Sequence, residues 1–353
     1  MGVFETIGTE THESVHFGVD AATGLEAIVA IHSTVLGPAL GGTRFYPYTD
    51  DDAALVDVLR LSQGMTYKAA AAGLTQGGGK AVIIGDPTEL GSDDLFRSYG
   101  KFIDGLAGRY ITAEDVGTTV PNMEVVATMT PFVRGLSIET GGSGDPSPGT
   151  ARGVVAGLSA VSNHLWGTRD LHGRRIAIKG VGKVGYALGR MLTAQGVELV
   201  VADVNEIATD AAAHDFGAKV VTVDEIHKVD CDVYSPCALG SDLNRDSIQR
   251  LACSAVVGSA NNQLAEPADA DRLTARGILY APDFVVNAGG IINIAAETGG
   301  YSIEKSNMMI DRIYDNLTEI LTRSDALGIS TEEAAEHLAE ARIKAAQRQG
   351  EES

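Results

Sequence analysis

The sequence predicts an α/β protein of two domains, the second built on a doubly wound parallel sheet. The chain has 353 residues, enough for two domains at roughly 150 residues each. From about residue 175 onward, short apolar strands alternate with helices, an order typical of a parallel sheet covered on both faces. Between the first of these strands and the helix after it lies Gly180-Val181-Gly182-Lys183-Val184-Gly185, a spacing that predicts a ligand-binding turn.

The first part of the chain contains strands and helices with recognisable ends. Residues 25–31 are an apolar run that predicts a strand, and the glycines from Gly37 to Gly42 predict turns after it. Asp50 to Ala72 has apolar residues at helical spacing and is followed by Gly73, which predicts a helix that ends there. The next expected elements are a strand over 81–84, a helix from Ser92 to about Leu106 and a strand over 109–112 that leads to Glu114-Asp115.

Residues 141–149 are rich in glycine, proline and serine and predict a linker that can absorb a hinge motion. We therefore assign residues 1–140 to a substrate-binding domain and 141–324 to a dinucleotide-binding domain, with a cleft between them. We expect a helix over about 325–349 to pack back on the first domain. The other expected elements are strands near 175–179, 197–202, 219–223, 232–235, 255–258 and 278–280, a helix from near 150, and helices over 184–195, 301–322 and 331–347.

The glycine turn at 180–185 has the features of a Rossmann-type dinucleotide site. Its first glycine permits the tight turn, the second lets backbone N–H groups approach a pyrophosphate, and the third lets helix and strand pack closely. Asp203 follows the next strand. A carboxylate at that position accepts hydrogen bonds from ribose hydroxyls and repels a 2′-phosphate, which predicts NAD rather than NADP.

Bulk properties exclude several classes of function. The net charge is −20, from 47 acidic and 27 basic residues, which argues against nucleic-acid binding. No apolar run approaches the ~18 residues of a membrane span. Three cysteines without paired spacing, Cys231, Cys237 and Cys253, favour a reducing, cytoplasmic location. The scattered acidic residues fit an ordinary acidic surface or adaptation to high salt, and both interpretations stay open.

Two lysines and an acid are candidates for chemistry. Lys68 ends the first long helix, and Lys80 follows three glycines in a predicted loop before the strand over 81–84. The stretch lacks the first glycine and the Ser or Thr of a phosphate-binding loop. Two lysines in one cleft would disfavour each other's charge, so that one could hold a carboxylate while the other acts as a base. Asp115, at a strand end, is a candidate proton carrier. From these residues alone, surface lysines and a solvated acid remain the ordinary interpretation.

Taken in order, the motifs resemble the Glu/Leu/Phe/Val amino-acid dehydrogenase family, and its leucine and valine dehydrogenase branch in particular. The resemblance covers about residues 14–345. It is carried by residues 36–44 (LGPALGGTR), 64–68 (GMTYK), 77–80 (GGGK), 112–117 (TAEDVG), 180–185 (GVGKVG), 260–263 (ANNQ) and 280–290 (YAPDFVVNAGG).

The resemblance implies an activity and roles for individual residues. Lys68 would bind the substrate carboxylate, Lys80 would activate the water that attacks an imine, and Asp115 would shuttle protons to and from the amine. The reaction would oxidise an L-amino acid with NAD to a 2-oxo acid and ammonia, and reverse as reductive amination. Closure of the cleft would exclude water. The family forms dimers and octamers, so a homo-oligomer is expected.

The substrate side chain is expected to meet apolar residues. In the glutamate branch a lysine stands at the position of Leu40 and a serine at that of Ile294. Aliphatic residues there would leave a glutamate carboxylate buried without a partner, which costs several kcal/mol. Ala113 and Ile291 resemble other lining positions. The prediction is a branched-chain substrate, with valine, leucine and isoleucine not separable.

Further site residues are implied by position or resemblance. Gly41 and Asn262 are assigned to the substrate. The cofactor is assigned Thr150, Gly180, Val181, Gly182, Lys183, Val184, Gly185, Asp203, Val204, Cys237, Ala238, Ala260, Asn261 and Asn287.

Three alternatives stay open: a phenylalanine dehydrogenase, a non-catalytic NAD-binding regulator, and a hydroxy-acid dehydrogenase. The last needs a catalytic histidine for which the sequence offers no obvious position. His12 and His16 have metal-ligand spacing but no evident third ligand, so they are assigned to the surface and no metal is expected.

Overall fold

The computed structural model describes residues 12–351, which divide by their contacts into two compact units. The first unit contains the described residues up to Asp145, Ile294–Ser302 and the chain from Ala339 onward; the second contains Pro146–Asn293 and Ile303–Leu338. The first division therefore falls between Asp145 and Pro146. The C-terminal helix is shared, because its residues up to Leu338 belong to the second unit and those from Ala339 to the first.

The first unit is built on a mixed five-stranded sheet in the order β1-β2-β4-β3-β5. Strand β2 pairs antiparallel with β1 and β4, whereas β3 pairs parallel with β4 and β5. The elements are β1 (Ser14–Asp20), β2 (Leu25–Ser33), β3 (Ala39–Tyr46), α1 (Asp51–Ala72), β4 (Gly77–Ile84), α2 (Pro87–Leu90), α3 (Asp93–Asp104), β5 (Tyr110–Glu114), α4 (Val120–Ala127) and a 3₁₀ turn (Ile138–Thr140).

Helix α1 has the predicted ends. The Asp50 side chain accepts a hydrogen bond from the Ala53 N–H at 2.8 Å, which caps the N-terminus. At the other end Gly73 adopts a left-handed conformation with φ of 68°. The Arg342 guanidinium, from the C-terminal helix, donates to the carbonyl oxygens of Ala70 and Ala71 at 3.0 and 2.6 Å. These bonds add a second donor to the Ala70 carbonyl, which also accepts from the Gly73 N–H at 3.0 Å, and supply one to the Ala71 carbonyl in the last turn of the helix.

Two glycine stretches that the sequence assigned to turns and a loop lie inside strands, and that assignment was wrong. Gly41 belongs to β3, and Gly77–Gly79 belong to β4, as does Lys80. The reason is close backbone approach: a Cβ on Gly41 would come within 1.8 Å of the Gly79 carbonyl oxygen. Strand β1 was also not predicted as a distinct element.

The two faces of this sheet have separate cores. On one face β3 and β5 contribute Phe45 and Tyr110 to a cluster with Leu95 and Tyr99 of α3 and with residues of α4. On the other face α1 covers the sheet through an aliphatic cluster. This second cluster consists of Ile28, Ala30, Ala54, Leu55, Val58, Leu59 and Val82.

The second unit is a doubly wound sheet of six parallel strands in the order β11-β10-β9-β6-β7-β8, which confirms the predicted class. Its elements are α5 (Ser147–Trp166), β6 (Arg175–Lys179), α6 (Lys183–Thr193), β7 (Glu198–Ala202), α7 (Glu206–Phe216), β8 (Lys219–Val220), a 3₁₀ turn (Ile226–Lys228), β9 (Val233–Pro236), α8 (Arg245–Arg250), β10 (Ala255–Val256), α9 (Ala268–Ala275), β11 (Leu279–Tyr280), α10 (Asp283–Val286), α11 (Gly289–Ala295), α12 (Ile303–Asp311), α13 (Ile313–Leu327) and α14 (Thr331–Glu351).

The order of the strands reverses between β6 and β9. In such sheets the loops beyond the carboxyl ends of these two strands form a ligand crevice. The single helix predicted over 301–322 is instead two helices, interrupted at Arg312. Among residues 12–351, every helix is too short or too polar to cross a bilayer.

Candidate active site

The chemistry-bearing residues of the first unit share one face of its sheet. Side chains alternate along a strand, and Val82 of β4 faces α1. Lys80, two residues earlier, therefore points to the same face. Strand pairing places Leu40 opposite Gly78 and Gly42 opposite Ala113. The face that α1 covers thus collects Leu40, Lys80, Ala113 and, just past β5, Asp115.

Gly78 has no side chain, and this allows α1 to lie against this face of the sheet. A Cβ on Gly78 would lie 2.1 Å from the Thr66 backbone nitrogen and hydroxyl oxygen. Only glycine allows the helix to approach the strand this closely. The end of α1 that carries Lys68 consequently lies over the strand that carries Lys80.

Lys80 and Asp115 form an ion pair. The Lys80 side chain is 8% exposed and that of Asp115 is 24% exposed. Burial alone would raise the pKa of Asp115, but Lys80, followed by Arg44, more than offsets this and holds the pKa below its ordinary value. The Asp115 N–H donates to the Thr118 hydroxyl at 2.9 Å, which fixes the backbone of the carboxylate. The structure thus places the predicted catalytic lysine and the predicted proton carrier side by side.

Arg44 lies beside this pair and contacts Asp57 with its other end, and neither residue was predicted from the sequence. Arg44 Nε lies 3.7 Å from Asp115 Oδ2, and Arg44 Nη1 donates to Asp57 Oδ2 at 2.8 Å. Arg44 lies four residues after Leu40, so the alternation of a strand would have placed it on the same face. The glycines before it concealed that strand.

Apolar residues adjoin the ion pair. Leu40 and Ala113 are 2% and 3% exposed. A Cβ on Gly135 would lie 3.8 Å from Ile294 and 4.0 Å from Ala113, so these two predicted lining residues border the same space. Gly135 was not predicted, since it lies outside any motif. Ile291 and Asn262, the other predicted substrate residues, belong to the second unit.

The glycine turn of the second unit fits a dinucleotide pyrophosphate. Gly180 has φ of 97°, and a Cβ on Gly185 would come within 1.9 Å of the Gly180 carbonyl oxygen. A Cβ on Gly182 would meet nothing within 4 Å, which leaves open space in front of the turn. Gly182 also begins α6 without any side-chain cap, so the first N–H groups of the helix are available to an anion.

Asp203 lies beside this turn. Its carboxylate accepts hydrogen bonds from the Val181 N–H at 2.7 Å and the Asn205 N–H at 2.9 Å. On the other side of the turn, a Cβ on Gly180 would lie 2.7 Å from the Ala238 nitrogen and 2.8 Å from the Cys237 carbonyl carbon. The structure therefore brings the predicted residues of three loops to one site. Lys183 and Val184 are in the first turn of α6, and Val204 follows Asp203 at the surface.

Two predicted asparagines meet nearby. Asn287 is 5% exposed and donates through Nδ2 to Asn261 Oδ1 at 2.9 Å. Its own Oδ1 is buried and has no hydrogen-bond partner among the described residues. A buried acceptor without a donor is costly, so this oxygen suits a ligand that donates an N–H or O–H. Ala260, whose carbonyl is 3.4 Å from Asn287 Nδ2, is also buried.

Thr150 is the remaining predicted cofactor residue. It lies in the first turn of α5, and a Cβ on Gly290 would come 2.7 Å from its hydroxyl oxygen.

One of the two N-terminal histidines, His12, differs from expectation. The His12 ring packs edge-on against His32 with centroids 4.8 Å apart, and its Nε2 lies 2.8 Å from Ser62 Oγ. Its assignment to the surface was therefore wrong, because the ring is partly buried and hydrogen-bonds to Leu59 and Ser62 of α1. Over residues 12–351 no group of three His, Cys, Asp or Glu side chains is arranged to hold a metal ion.

Comparisons with known proteins agree with these features. The sequence model for the Glu/Leu/Phe/Val dehydrogenase dimerisation domain matches residues 10–131, and that for glutamate/leucine/phenylalanine/valine dehydrogenase matches residues 200–350. Leucine dehydrogenase of Bacillus subtilis is 48% identical over 344 residues, which cover 98% of this chain and 94% of that protein. Valine dehydrogenase of Streptomyces virginiae is 47% identical over 335 residues, or 94% of each chain.

Solved structures extend the comparison. L-tryptophan dehydrogenase from Nostoc punctiforme superimposes with a TM-score of 0.87 at 43% identity, covering 98% of this chain and 99% of that one. The hetero-hexameric glutamate dehydrogenase of Thermus thermophilus, at 23% identity, shares the fold with a TM-score of 0.77, covering 96% of this chain and 90% of that one.

Proposed function

This chain belongs to the Glu/Leu/Phe/Val dehydrogenase family, and from that premise we propose that it oxidatively deaminates branched-chain L-amino acids. The products are the 2-oxo acid and ammonia, and the reverse reaction is reductive amination. The observation that carries this proposal is the Lys80–Asp115 ion pair on a sheet face whose neighbouring side chains, Leu40 and Ala113, are apolar.

As a dehydrogenase of this family the protein uses a nicotinamide cofactor, and we propose that this cofactor is NAD. When bound, it accepts the hydride from the substrate Cα. The turn at Gly180–Gly185 and the uncapped start of α6 would hold the pyrophosphate. Asp203 would accept hydrogen bonds from ribose hydroxyls and repel a 2′-phosphate, which favours NAD over NADP.

In the proposed mechanism, the residues of the first unit handle the substrate's charged groups. Lys68 holds the α-carboxylate as a point charge. Asp115 accepts a proton from the substrate ammonium, because hydride can leave Cα only when nitrogen can supply an electron pair. Lys80 first releases its own proton to solvent and, as the neutral amine, then takes a proton from the water that attacks the imine carbon. Asp115 returns a proton to the departing amine and accepts the hydroxyl proton as the carbonyl forms.

The apolar surroundings set the proposed substrate range. A leucine or valine side chain gains about 0.8 kcal/mol for each CH₂ removed from water. A glutamate side chain would bring a second carboxylate against Leu40 and Ile294, whose aliphatic side chains cannot pair with it. Unpaired burial of that charge costs several kcal/mol. The similar identities to leucine and valine dehydrogenases fit a substrate of this aliphatic class.

An aromatic amino acid is the second candidate substrate. It is favoured by the likeness to a structure of L-tryptophan dehydrogenase and by Gly135, which leaves space beside Ile294 and Ala113. A non-catalytic NAD-binding regulator is the remaining alternative, and the Lys80–Asp115 pair speaks against it.

Assembly and location complete the proposal. We propose a homo-oligomer, since the matched N-terminal family domain is named for dimerisation. The three cysteines are free thiols, which suits the reducing cytoplasm, where we propose that the protein works.

The test measures NADH formation by absorbance with a panel of L-amino acids for three proteins: wild type, Lys80→Ala and Lys101→Ala. Lys101 is an exposed lysine of α3 and serves as the matched control. We expect turnover of leucine, valine and isoleucine, none of glutamate, an active Lys101→Ala protein and a loss of ~100-fold or more in Lys80→Ala.

The outcomes separate the candidates. Best turnover of tryptophan or phenylalanine would replace the branched-chain proposal with the aromatic one. Best turnover of glutamate would contradict the role given to Leu40 and Ile294. NAD binding without any turnover would support the regulator.

A further inference from the structure

A second cation lies against the proposed proton carrier. Arg44 projects from β3 on the face that holds Lys80, and its Nε is 3.7 Å from Asp115 Oδ2, the oxygen that forms the ion pair with Lys80. Arg44 Nε is buried and makes no hydrogen bond with any described residue. The distance is too long for a hydrogen bond but short enough that a small rotation would make one.

The guanidinium is held from its other end. Asp57 of α1 accepts a hydrogen bond from Arg44 Nη1 at 2.8 Å and another from the Tyr48 hydroxyl at 2.7 Å. Asp57 also accepts from Arg60 Nη2 at 3.0 Å. The side chains of Arg44 and Asp57 are 25% and 16% exposed, whereas that of Arg60 is 57% exposed. Arg44 is therefore anchored inside the protein by Asp57, a carboxylate that takes no part in the proposed mechanism.

We propose that Arg44 is a positioning residue that fixes the Asp115 carboxylate and, once Lys80 has become a neutral amine, keeps it ionised until it accepts the proton of the substrate ammonium. This inference rests on the proposed function, because only a Lys80 that gives up its proton leaves Asp115 in need of a second cation. Arginine suits this role since it does not lose its charge in proteins, and its planar fork can face two carboxylates at once.

The charges around Asp115 come from each neighbouring element. Lys80 reaches it from β4 and Arg44 from β3, and the buried phenol of Tyr110 lies on β5. Beyond Arg44 stand Asp57 and Arg60, both on α1. Without Arg44, loss of the Lys80 proton would remove the charge of the cation that is ion-paired with Asp115. The half-buried carboxylate would then take up a proton from solvent and could not accept one from the substrate ammonium.

The decisive variant is Arg44→Gln, and Arg60→Gln is its matched control. Both substitutions remove a guanidinium that contacts Asp57, but only Arg44 also reaches Asp115. We expect the acidic limb of the pH profile of kcat/KM for leucine to move to higher pH by about one unit in Arg44→Gln. The limb should stay in place in Arg60→Gln. Arg44→Lys, which keeps the charge, should recover at least half of the change.

A second measurement does not depend on turnover. Carbon-13 NMR of aspartate side-chain carboxyls, with Asp115→Asn to identify the signal, follows the protonation of Asp115 directly. We expect its titration to move to higher pH in Arg44→Gln, in the same direction as the acidic limb. If the wild type oxidises no amino acid, the proposed function fails and this titration alone decides whether Arg44 controls Asp115.

Two results would overturn the inference. One is an Arg44→Gln protein with a lower rate but with a pH profile and an Asp115 titration that overlay those of the wild type, which would make Arg44 merely structural. The other is an equal displacement in Arg60→Gln, which would assign the effect to general surface charge. If Arg44→Gln does not fold, the same titration in Arg44→Lys and in Asp57→Asn decides, since loss of the Asp57 anchor should let Arg44 drift from Asp115 and raise the Asp115 titration.

Discussion

Glu332, the second residue of α14, combines burial with a neighbouring acid and should make the protein less stable as pH rises. Its Oε2 atom is buried and has no hydrogen-bond partner among the described residues. Burial, followed by repulsion from Asp283 and Glu336, raises the pKa of Glu332 from 4.5 to about 8. The start of α14 is anchored at the preceding residue, where the Thr331 hydroxyl donates to the Tyr280 carbonyl at 2.6 Å.

The raised pKa of Glu332 determines how the free energy of unfolding changes with pH. Between pH 4.5 and about 8 the folded protein keeps a proton on Glu332 that the unfolded chain has released. The free energy of unfolding therefore falls as pH rises through this window, opposite to the effect of an ion-paired acid such as Asp115. At about 1.36 kcal/mol per pH unit the loss is at most ~5 kcal/mol. Partial solvation of the side chain lowers this to roughly 2–4 kcal/mol.

Replacement of Glu332 by glutamine removes the ionisation while keeping the shape. We expect Glu332→Gln to resemble the wild type at about pH 5 and to exceed its stability by roughly 2–4 kcal/mol at about pH 9. The measurement is urea denaturation followed by circular dichroism at both pH values. Glu333→Gln, at the exposed neighbouring position, is the control and should follow the wild type. Parallel pH dependences for the wild type and Glu332→Gln would refute the reasoning.

Three further predictions concern the proposed site and the acidic surface. Leu40→Lys should supply a partner for a second carboxylate and raise the ratio of glutamate to leucine kcat/KM by about tenfold or more; an unchanged ratio would place Leu40 away from the substrate side chain. Asp203→Ala should improve the use of NADP relative to NAD by about tenfold in steady-state assays, whereas equal losses with both cofactors would assign Asp203 to loop structure alone. Finally, with a net charge of −20, activity and melting temperature should rise toward molar KCl if the surface is adapted to salt, and a flat or falling response would argue for an ordinary acidic surface.

The sequence predicted those parts of the fold whose signals are local. Helix α1 was predicted to within one residue, because Asp50 and Gly73 are residue types that cap helices and apolar residues recur between them. The glycine turn at 180–185 was equally local, since its spacing and the flanking strand and helix lie within one short segment.

The missed features depend on neighbours that are distant in the sequence. The glycines at 41–42 and 77–79 look like turns unless one knows that β3 and β4 pair with each other and that α1 rests on Gly78. Because β3 was not predicted, Arg44 could not be assigned to the sheet face that holds Lys80. Gly135 approaches Ile294 from 159 positions away, and no local pattern reports such a contact.

The bonds from Arg342 to the end of α1 have a consequence for synthesis. Arg342 lies 272 residues after Ala70. At ~5–20 residues per second, a ribosome needs roughly 15–50 s to reach it after making the helix that carries Lys68. During that interval the carbonyls of Ala70 and Ala71 lack the guanidinium, and water or a chaperone must take its place. The end of the helix that carries Lys68, the proposed substrate lysine, would thus gain the bonds from Arg342 only after almost every other described element had been translated. Premature termination before residue 342 would release a protein that lacks these bonds.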